Sequence, residues 1–229
     1  MSAGSGKAGV SVVMAVHDEE LHLPEAIESV LAQARPVEEI IVVDDGSTDG
    51  TARVASGFGP PVVVVRQAQA GLPGALNAGL GRARGGLIGF LDGDDAWTSR
   101  HLEALVPPLE ADAGLDMVFG AVEQFYSPEL EEEQRSRIAN REGVAPGRVR
   151  GAMVARASAF ERVGPFDERW KVGEFVDWSA RADEAGLRSL DVDEIVLRRR
   201  LHTSHVTRDR DAHRSYARIV AEARRRRHK

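Results

Sequence analysis

Apolar runs and stretches of helical period alternate along the first half of the chain. Val10–Val16 is almost continuously apolar, which predicts a central parallel strand covered on both faces. Pro24 then opens a helix in which Leu23, Ile27, Val30 and Leu31 recur at helical spacing. Glu39–Val43 predicts a second buried strand, ended by the turn-rich stretch Asp44–Gly50, with Thr48 or Asp49 capping a short helix through Ser56. A third strand follows at Val62–Arg66, a small-residue helix at Gly74–Arg84, and a fourth strand at Leu87–Leu91 that runs straight into Asp92. Thr98 or Ser99 caps a helix over His101–Leu109.

The second half is less regular. It predicts strands at Met117–Phe125, Val149–Ala155 and Ile195–Leu201, and a charged helix or loop at Ser127–Asn140. Short helices are expected around Ser158–Val163 and from Phe175 to Ala185, the latter stopped by Gly186. Asp211–Arg227 reads as a terminal helix with Tyr216, Ile219, Val220 and Ala223 on one face. Repeated βα units imply an α/β fold with a Rossmann-like, doubly wound, mostly parallel sheet and a smaller lobe on the acceptor side. We expect a leader at 1–9 without order, one domain at 10–210 with halves at 10–110 and 111–210, and a C-terminal helix with a basic tail at 211–229.

Composition narrows the function. At 229 residues, 42% hydrophobic and 29% charged, the chain has the make-up of an ordinary globular domain. It contains no Cys, which removes disulfide and thiolate chemistry and fits a reducing compartment. The apolar runs fall far short of the roughly 20 residues of a membrane span. No signal-peptide core follows Lys7, so the expected location is cytoplasmic, with peripheral contact at a membrane surface as the minor alternative. The net charge of −6 argues against a nucleic-acid partner. Arg224–Arg227 and Lys229 read first as a solvated helix end complementing its dipole. Gly4-Ser5-Gly6-Lys7 is no phosphate loop, because no strand precedes it.

Ligands on such sheets bind at the carboxyl ends of the strands, where Ala15–Glu20, Asp44–Asp49 and Asp92–Asp95 all fall. Three carboxylates within Asp92–Asp95 repel one another unless a cation compensates, and Mg²⁺ or Mn²⁺ suits that need while leaving room for phosphates. On this cluster alone, a metal site and an Asp/Gly-rich turn stand level; its place beside two other acidic clusters favours the metal. Asp44 serves the turn while Asp45 reaches a base or ribose. No Gly-x-Gly-x-x-Gly follows the first strand, which disfavours a dinucleotide cofactor.

Val10–Glu20, Glu39–Thr51, Leu76–Leu80 and Gly89–Asp95 occur in the order and spacing of the signatures of glycosyltransferase family 2, which the chain resembles over nearly its whole length. Val163–Glu168 and Arg199–His202 also look familial. The resemblance implies the GT-A fold and an inverting transfer from a nucleoside-diphosphate sugar, UDP-linked by preference. It places Ala15 and His17 where the family has Pro and Tyr or Asn, with His17 against the base, Glu19 near the ribose and Asp45 on the base. Asp92 and Asp94 form an Asp-x-Asp motif around Gly93, with Asp94 on the metal, Asp92 on the ribose or on metal-bound water, and His202 a further ligand. Asn77 and Arg84 fall near the diphosphate, although a surface role for Arg84 stands at least level. His205 is a weaker phosphate contact, and Arg199 and Arg200 add positive potential or form an exposed edge.

The pattern breaks at the catalytic base. Phe175 stands where the family carries its Asp. Glu174 is the first candidate and Asp177 the reserve, against a helix-dipole charge for Glu174 and a pair with Arg181 for Asp177. Trp170 offers an acceptor wall and Trp178 a core residue. Two other readings remain: a non-catalytic nucleotide-sugar-binding protein, and a nucleotidyl- or phosphotransferase, which the lack of a phosphate-cradling loop disfavours. The acceptor (glycan, lipid, peptide or small metabolite) and the oligomeric state, a homodimer included, stay open.

Overall fold

A computed structural model describes residues 9–136, 138, 142–145, 148–202 and 216–226. Residues 1–8 of the expected leader at 1–9, His205 and the start and last residues of the expected terminal helix lie outside the described residues.

Four parallel strands form the centre: β1 (Val10–Val16), β2 (Glu39–Asp45), β3 (Val62–Gln67) and β4 (Leu87–Phe90). Between them run α1 (Leu23–Leu31), α2 (Thr51–Gly57) and α3 (Leu72–Leu80). Because successive side chains of a strand point to opposite faces, β1 divides its residues between two cores. Val10, Val12, Met14 and Val16 pack with Leu23, Ile27 and Val30 of α1 on one face. Val13 faces Leu76 of α3 together with Phe90 and Trp178 on the other. The near-continuous apolar run of β1 is therefore what burial on both faces requires. α3 approaches closely through Gly79, where a Cβ would lie 2.4 Å from Val13 Cγ1.

α3 starts two residues before the expected Gly74, with Pro73 in its first turn, and ends at Gly81. After β4 come β5 (Ala96–Trp97), α4 (His101–Ala111), β6 (Met117–Tyr126), α5 (Glu132–Ser136) and β7 (Gly143–Ala145). A 3-10 turn at Arg150–Ala152 leads into β8 (Met153–Arg156), followed by α6 (Ala157–Val163), α7 (Glu174–Glu184) and β9 (Ser189–Leu201). The sheet order is β3-β2-β1-β4-β8-β6-β9-β5, with β7 beside β6. The antiparallel insertion of β8 next to β4 carries the second half of the chain across the end of the parallel sheet. β9, parallel to β6 over nearly its whole length, then returns to the cleft side at Arg199–His202.

Candidate functional site

The loop after β1 and the loop after β2 are sewn together by their own polar residues. Asp18 takes a left-handed backbone conformation, φ 54°, costly for a residue with a Cβ. Its carboxylate accepts the backbone N–H groups of Thr48 at 2.7 Å and Asp49 at 3.3 Å, and the Thr48 bond leads the causes that hold its pKa below the usual range. Ser47 Oγ accepts the Asp18 N–H, Thr51 Oγ1 accepts that of Glu19, and Glu20 accepts that of Gly50. Asp49 accepts the Thr51 N–H at 2.9 Å, although the N-cap position of α2 falls to Gly50 and not to Thr48 or Asp49.

His17 and Asp45 stand at the ends of β1 and β2, with His17 Nδ1 3.0 Å from the Asp45 carbonyl oxygen. The Asp45 carboxylate accepts Gln67 Nε2 at 2.7 Å and the N–H groups of Ala70 and Gly71, each at 2.8 Å. Asp45 thereby sets the loop that brings Gln69, Gly71 and Leu72 to the same opening. Asp44 instead accepts the Ser47 N–H and Arg66 Nε, both at 2.9 Å, and so belongs to the turn.

At the end of β4, Asp92–Asp95 lies against β1. Gly93 allows the approach, since a Cβ there would meet Val16 Cγ1 at 2.9 Å and Glu19 at 3.2 Å. The loop is held from β9. Arg200 is 4% exposed; its backbone N–H donates to Asp95 at 2.8 Å, its Nε donates to the Asp94 carbonyl at 2.9 Å, and its guanidinium pairs with Glu25. Burial, then the charges of Asp94 and Asp92, push the Asp95 carboxyl well above its ordinary pKa. Two residues along β9, His202 Nε2 lies 2.7 Å from Asp94 Oδ2.

A cleft of about 340 Å³ opens over these strand ends. Ala15, His17, Glu19, Asp45, Asp92, Gly93 and Asp94 line one side, and Lys171, Glu174 and Arg199 close the other. All of these except Lys171 were expected from the sequence, and the fold also sets His202 beside Asp94. It places three others elsewhere. Asn77 clips α3 to the turn before α7, exchanging hydrogen bonds of 2.9 Å with the backbone of Phe166. Arg84 sits at the opposite rim, 3.0 Å from Glu39. Asp177 is buried and paired with Arg181 at 2.8 Å and Arg226 at 3.4 Å. Trp178 is core, and Trp170 is also buried, its ring 5.8 Å from the Arg169 guanidinium and 5.5 Å from that of Arg218.

Comparison with known proteins identifies the arrangement. The model of glycosyl transferase family 2 matches residues 11–170. The chain belongs to glycosyltransferase family 2. Glycosyltransferase AglE of Haloferax volcanii is 30% identical over 189 residues, covering 77% of this chain and 62% of AglE. The uncharacterized glycosyltransferase EpsJ of Bacillus subtilis is 36% identical over 112 residues, 48% of this chain and 32% of EpsJ. The chain therefore spans less than two thirds of the length of these relatives. Among solved structures, S. aureus TarS 1-349 in complex with UDP-GlcNAc superposes with a TM-score of 0.70 at 19% identity, over 93% of this chain and 66% of that one. This likeness gives the fold, which is GT-A: a mostly parallel, curled α/β sheet.

Asp94 and His202 touch, and the carboxylates of Asp92 and Asp95 crowd the same loop. The oxygen and nitrogen of that pair could hold the divalent ion, Mn²⁺ or Mg²⁺, that the family commonly uses. Among the described residues no group of three His, Asp or Glu side chains is placed to hold a metal ion, so such an ion would need donors from outside the protein.

Lys171 in the cleft wall, and Arg150 bridging two carboxylates that line it, were not expected from the sequence. Arg150, 7% exposed, pairs through Nη1 with Glu174 and through Nη2 with Asp92. Burial opposes its charge, but the two carboxylates outweigh it and raise its pKa above the ordinary arginine value. The one signal available was a charged residue at the head of the apolar run Gly151–Ala155, where an arginine is out of place unless paired.

Proposed function

We propose that the protein is an inverting glycosyltransferase that moves a sugar from a nucleoside-diphosphate sugar, UDP-linked, to an acceptor hydroxyl. The observation that carries this reading is the meeting of His17, Asp45, Asp92–Asp94 and Glu174 around one cleft in a family 2 fold. His17 and Asp45 border the space for the base, Glu19 and Asp92 that for the ribose, and Asp94 with His202 would hold Mn²⁺ or Mg²⁺. When bound, the ion neutralises charge developing on the leaving diphosphate. Arg199 and Lys171 add positive potential for the same group.

Inversion needs a base on the face of the sugar opposite the diphosphate. Glu174 lines the cleft at the start of α7 and would take the proton from the acceptor hydroxyl. The acceptor oxygen then bonds to the anomeric carbon as the bond to the diphosphate breaks. Asp177, committed to two arginines, supports α7 instead. A non-catalytic nucleotide-sugar-binding protein is the second reading, favoured by the pairing of Glu174 with Arg150.

The test is release of UDP from a panel of UDP-sugars with Mn²⁺, with UDP binding followed by calorimetry. Glu174→Gln should lose about 10²–10⁴-fold in kcat and keep UDP affinity. Asp94→Asn should lose the metal-dependent part of UDP binding. Turnover undiminished in Glu174→Gln would remove Glu174 as base, and UDP binding without any turnover would favour the second reading.

A further inference from the structure

Arg150 joins the two sides of the cleft. Its terminal nitrogens are divided between carboxylates that lie far apart in sequence, one on the donor loop and one at the head of α7. Each carboxylate gives one oxygen to the guanidinium, through Oδ1 of Asp92 and Oε1 of Glu174. The second oxygen of Glu174 stays outside that pair, and it is the one with which a base would meet an acceptor hydroxyl.

The backbone under Arg150 is fixed independently of these charges. The 3-10 turn closes through the Ala152 N–H to the Val149 carbonyl at 3.1 Å. Trp97 Nε1 donates to the Gly151 carbonyl at 3.0 Å, and a Cβ on Gly151 would meet Leu197 at 3.1 Å. The guanidinium thus rises from a rigid base, and its planar fork gives the two carboxylates set directions. Stability does not explain the arrangement. A buried ion bridge is often no more stable than an apolar replacement, and this one also leaves Arg150 Nε buried without a partner. A costly, rigid contact between the two walls of a cleft is instead what a positioning role requires.

We infer that Arg150 is a positioning residue, which aims the carboxylate of Glu174 across the cleft and fixes it relative to the donor loop at Asp92. The inference rests on Glu174 being the base. It turns the contact that favours a silent site into one that keeps the base in place, with its second oxygen available.

The experiment compares wild type, Arg150→Ala, Arg150→Lys and Glu174→Gln by UDP release from UDP-sugars, UDP calorimetry and circular dichroism. In Arg150→Ala, kcat should fall about 10–100-fold, the usual cost of losing a supporting contact, while UDP affinity is kept. Millimolar guanidinium, occupying the space the side chain leaves, should restore much of that loss. Arg150→Lys should fall between, since one ammonium replaces a fork that spans two carboxylates. If Arg150→Ala does not fold, Arg150→Lys carries the test, and kcat within twofold of wild type there overturns the inference. If Glu174→Gln is inactive while Arg150→Ala keeps its turnover, the inference falls and the base stands. If Glu174→Gln stays active, the base reading falls and takes this role with it. Carboxylate ¹³C spectra give a readout free of turnover. The Glu174 signal, assigned by its loss in Glu174→Gln, should be single in wild type and broadened or split in Arg150→Ala; an unchanged signal overturns the inference.

Discussion

The two sides of the cleft are built in different ways. On one side, the loops after β1 and β2 hold each other through short polar side chains and backbone N–H groups, as Asp18, Ser47, Asp49 and Thr51 do. From the second half of the chain, two buried arginines reach in instead: Arg150 to Asp92 and Glu174, Arg200 to Asp94, Asp95 and Glu25. Many neutral or single-charge hydrogen bonds are individually small and tolerate loss, whereas a buried group left without its partner costs several times more. The loop side should therefore degrade gradually under substitution and the arginine-braced side abruptly.

Arg200→Ala should show the largest effect. It removes the Nε donor to the Asp94 carbonyl and takes the guanidinium from the half-exposed Glu25, at a cost of about 1–3 kcal/mol in urea unfolding. It should also loosen the loop that carries Asp94, so metal-dependent UDP binding falls with it. A cost near that of a surface pair would break the comparison.

His101 sharpens it through pH. Its ring stacks on Trp97 at 3.6 Å, Nδ1 lies 3.0 Å from the Val196 carbonyl, and burial lowers its pKa to about 3 from the ordinary 6.5. Between those two values the unfolded chain takes up a proton that the folded one refuses. This contribution is therefore fully present above pH 6.5 and is lost as pH falls toward 3, at up to about 1.4 kcal/mol per pH unit. His101→Phe should flatten the fall in unfolding free energy between pH 6.5 and 4; an unchanged slope would show that other groups carry it.

Asp18→Ala probes the locally sewn side. Thr48 and Asp49 lose an exposed acceptor, which should lower the urea midpoint slightly and UDP affinity only modestly. Arg84→Ala should do least. Its partner Glu39 keeps the Ser11 hydroxyl at 2.7 Å and the Arg84 backbone N–H at 2.8 Å, so the exposed pair is worth about 0–1 kcal/mol and UDP affinity stays unchanged.

The same contrast decides how much was legible in the sequence. The loop side follows from runs of adjacent residues: a strand read at Val10–Val16 or Glu39–Val43 must end somewhere, and the acidic cluster after it lies on the rim. The arginine-braced side depends on partners tens of residues apart, which no local pattern pairs. Val149–Ala155 reads as one strand, and nothing adjacent shows that Arg150 begins a 3-10 turn facing Asp92. β5 and β7, two and three residues long, are too short to leave a period. The early part of β9, Ser189–Glu194, alternates polar and half-exposed positions, so only its apolar end was visible. Asn77 and Arg84 lay near the expected diphosphate by position in the motif order, yet α3 turns one toward Phe166 and the chain carries the other to the far rim.

The central claim, a metal-assisted nucleotide-sugar site at Asp92–Asp95, is met most directly by calorimetric titration of UDP and UDP-sugars with and without Mn²⁺, on wild type and Asp94→Asn. The account expects tight binding only with the ion, and its loss in Asp94→Asn while circular dichroism stays unchanged. Nucleoside-diphosphate binding that ignores both the ion and Asp94, or no such binding at all, would contradict it.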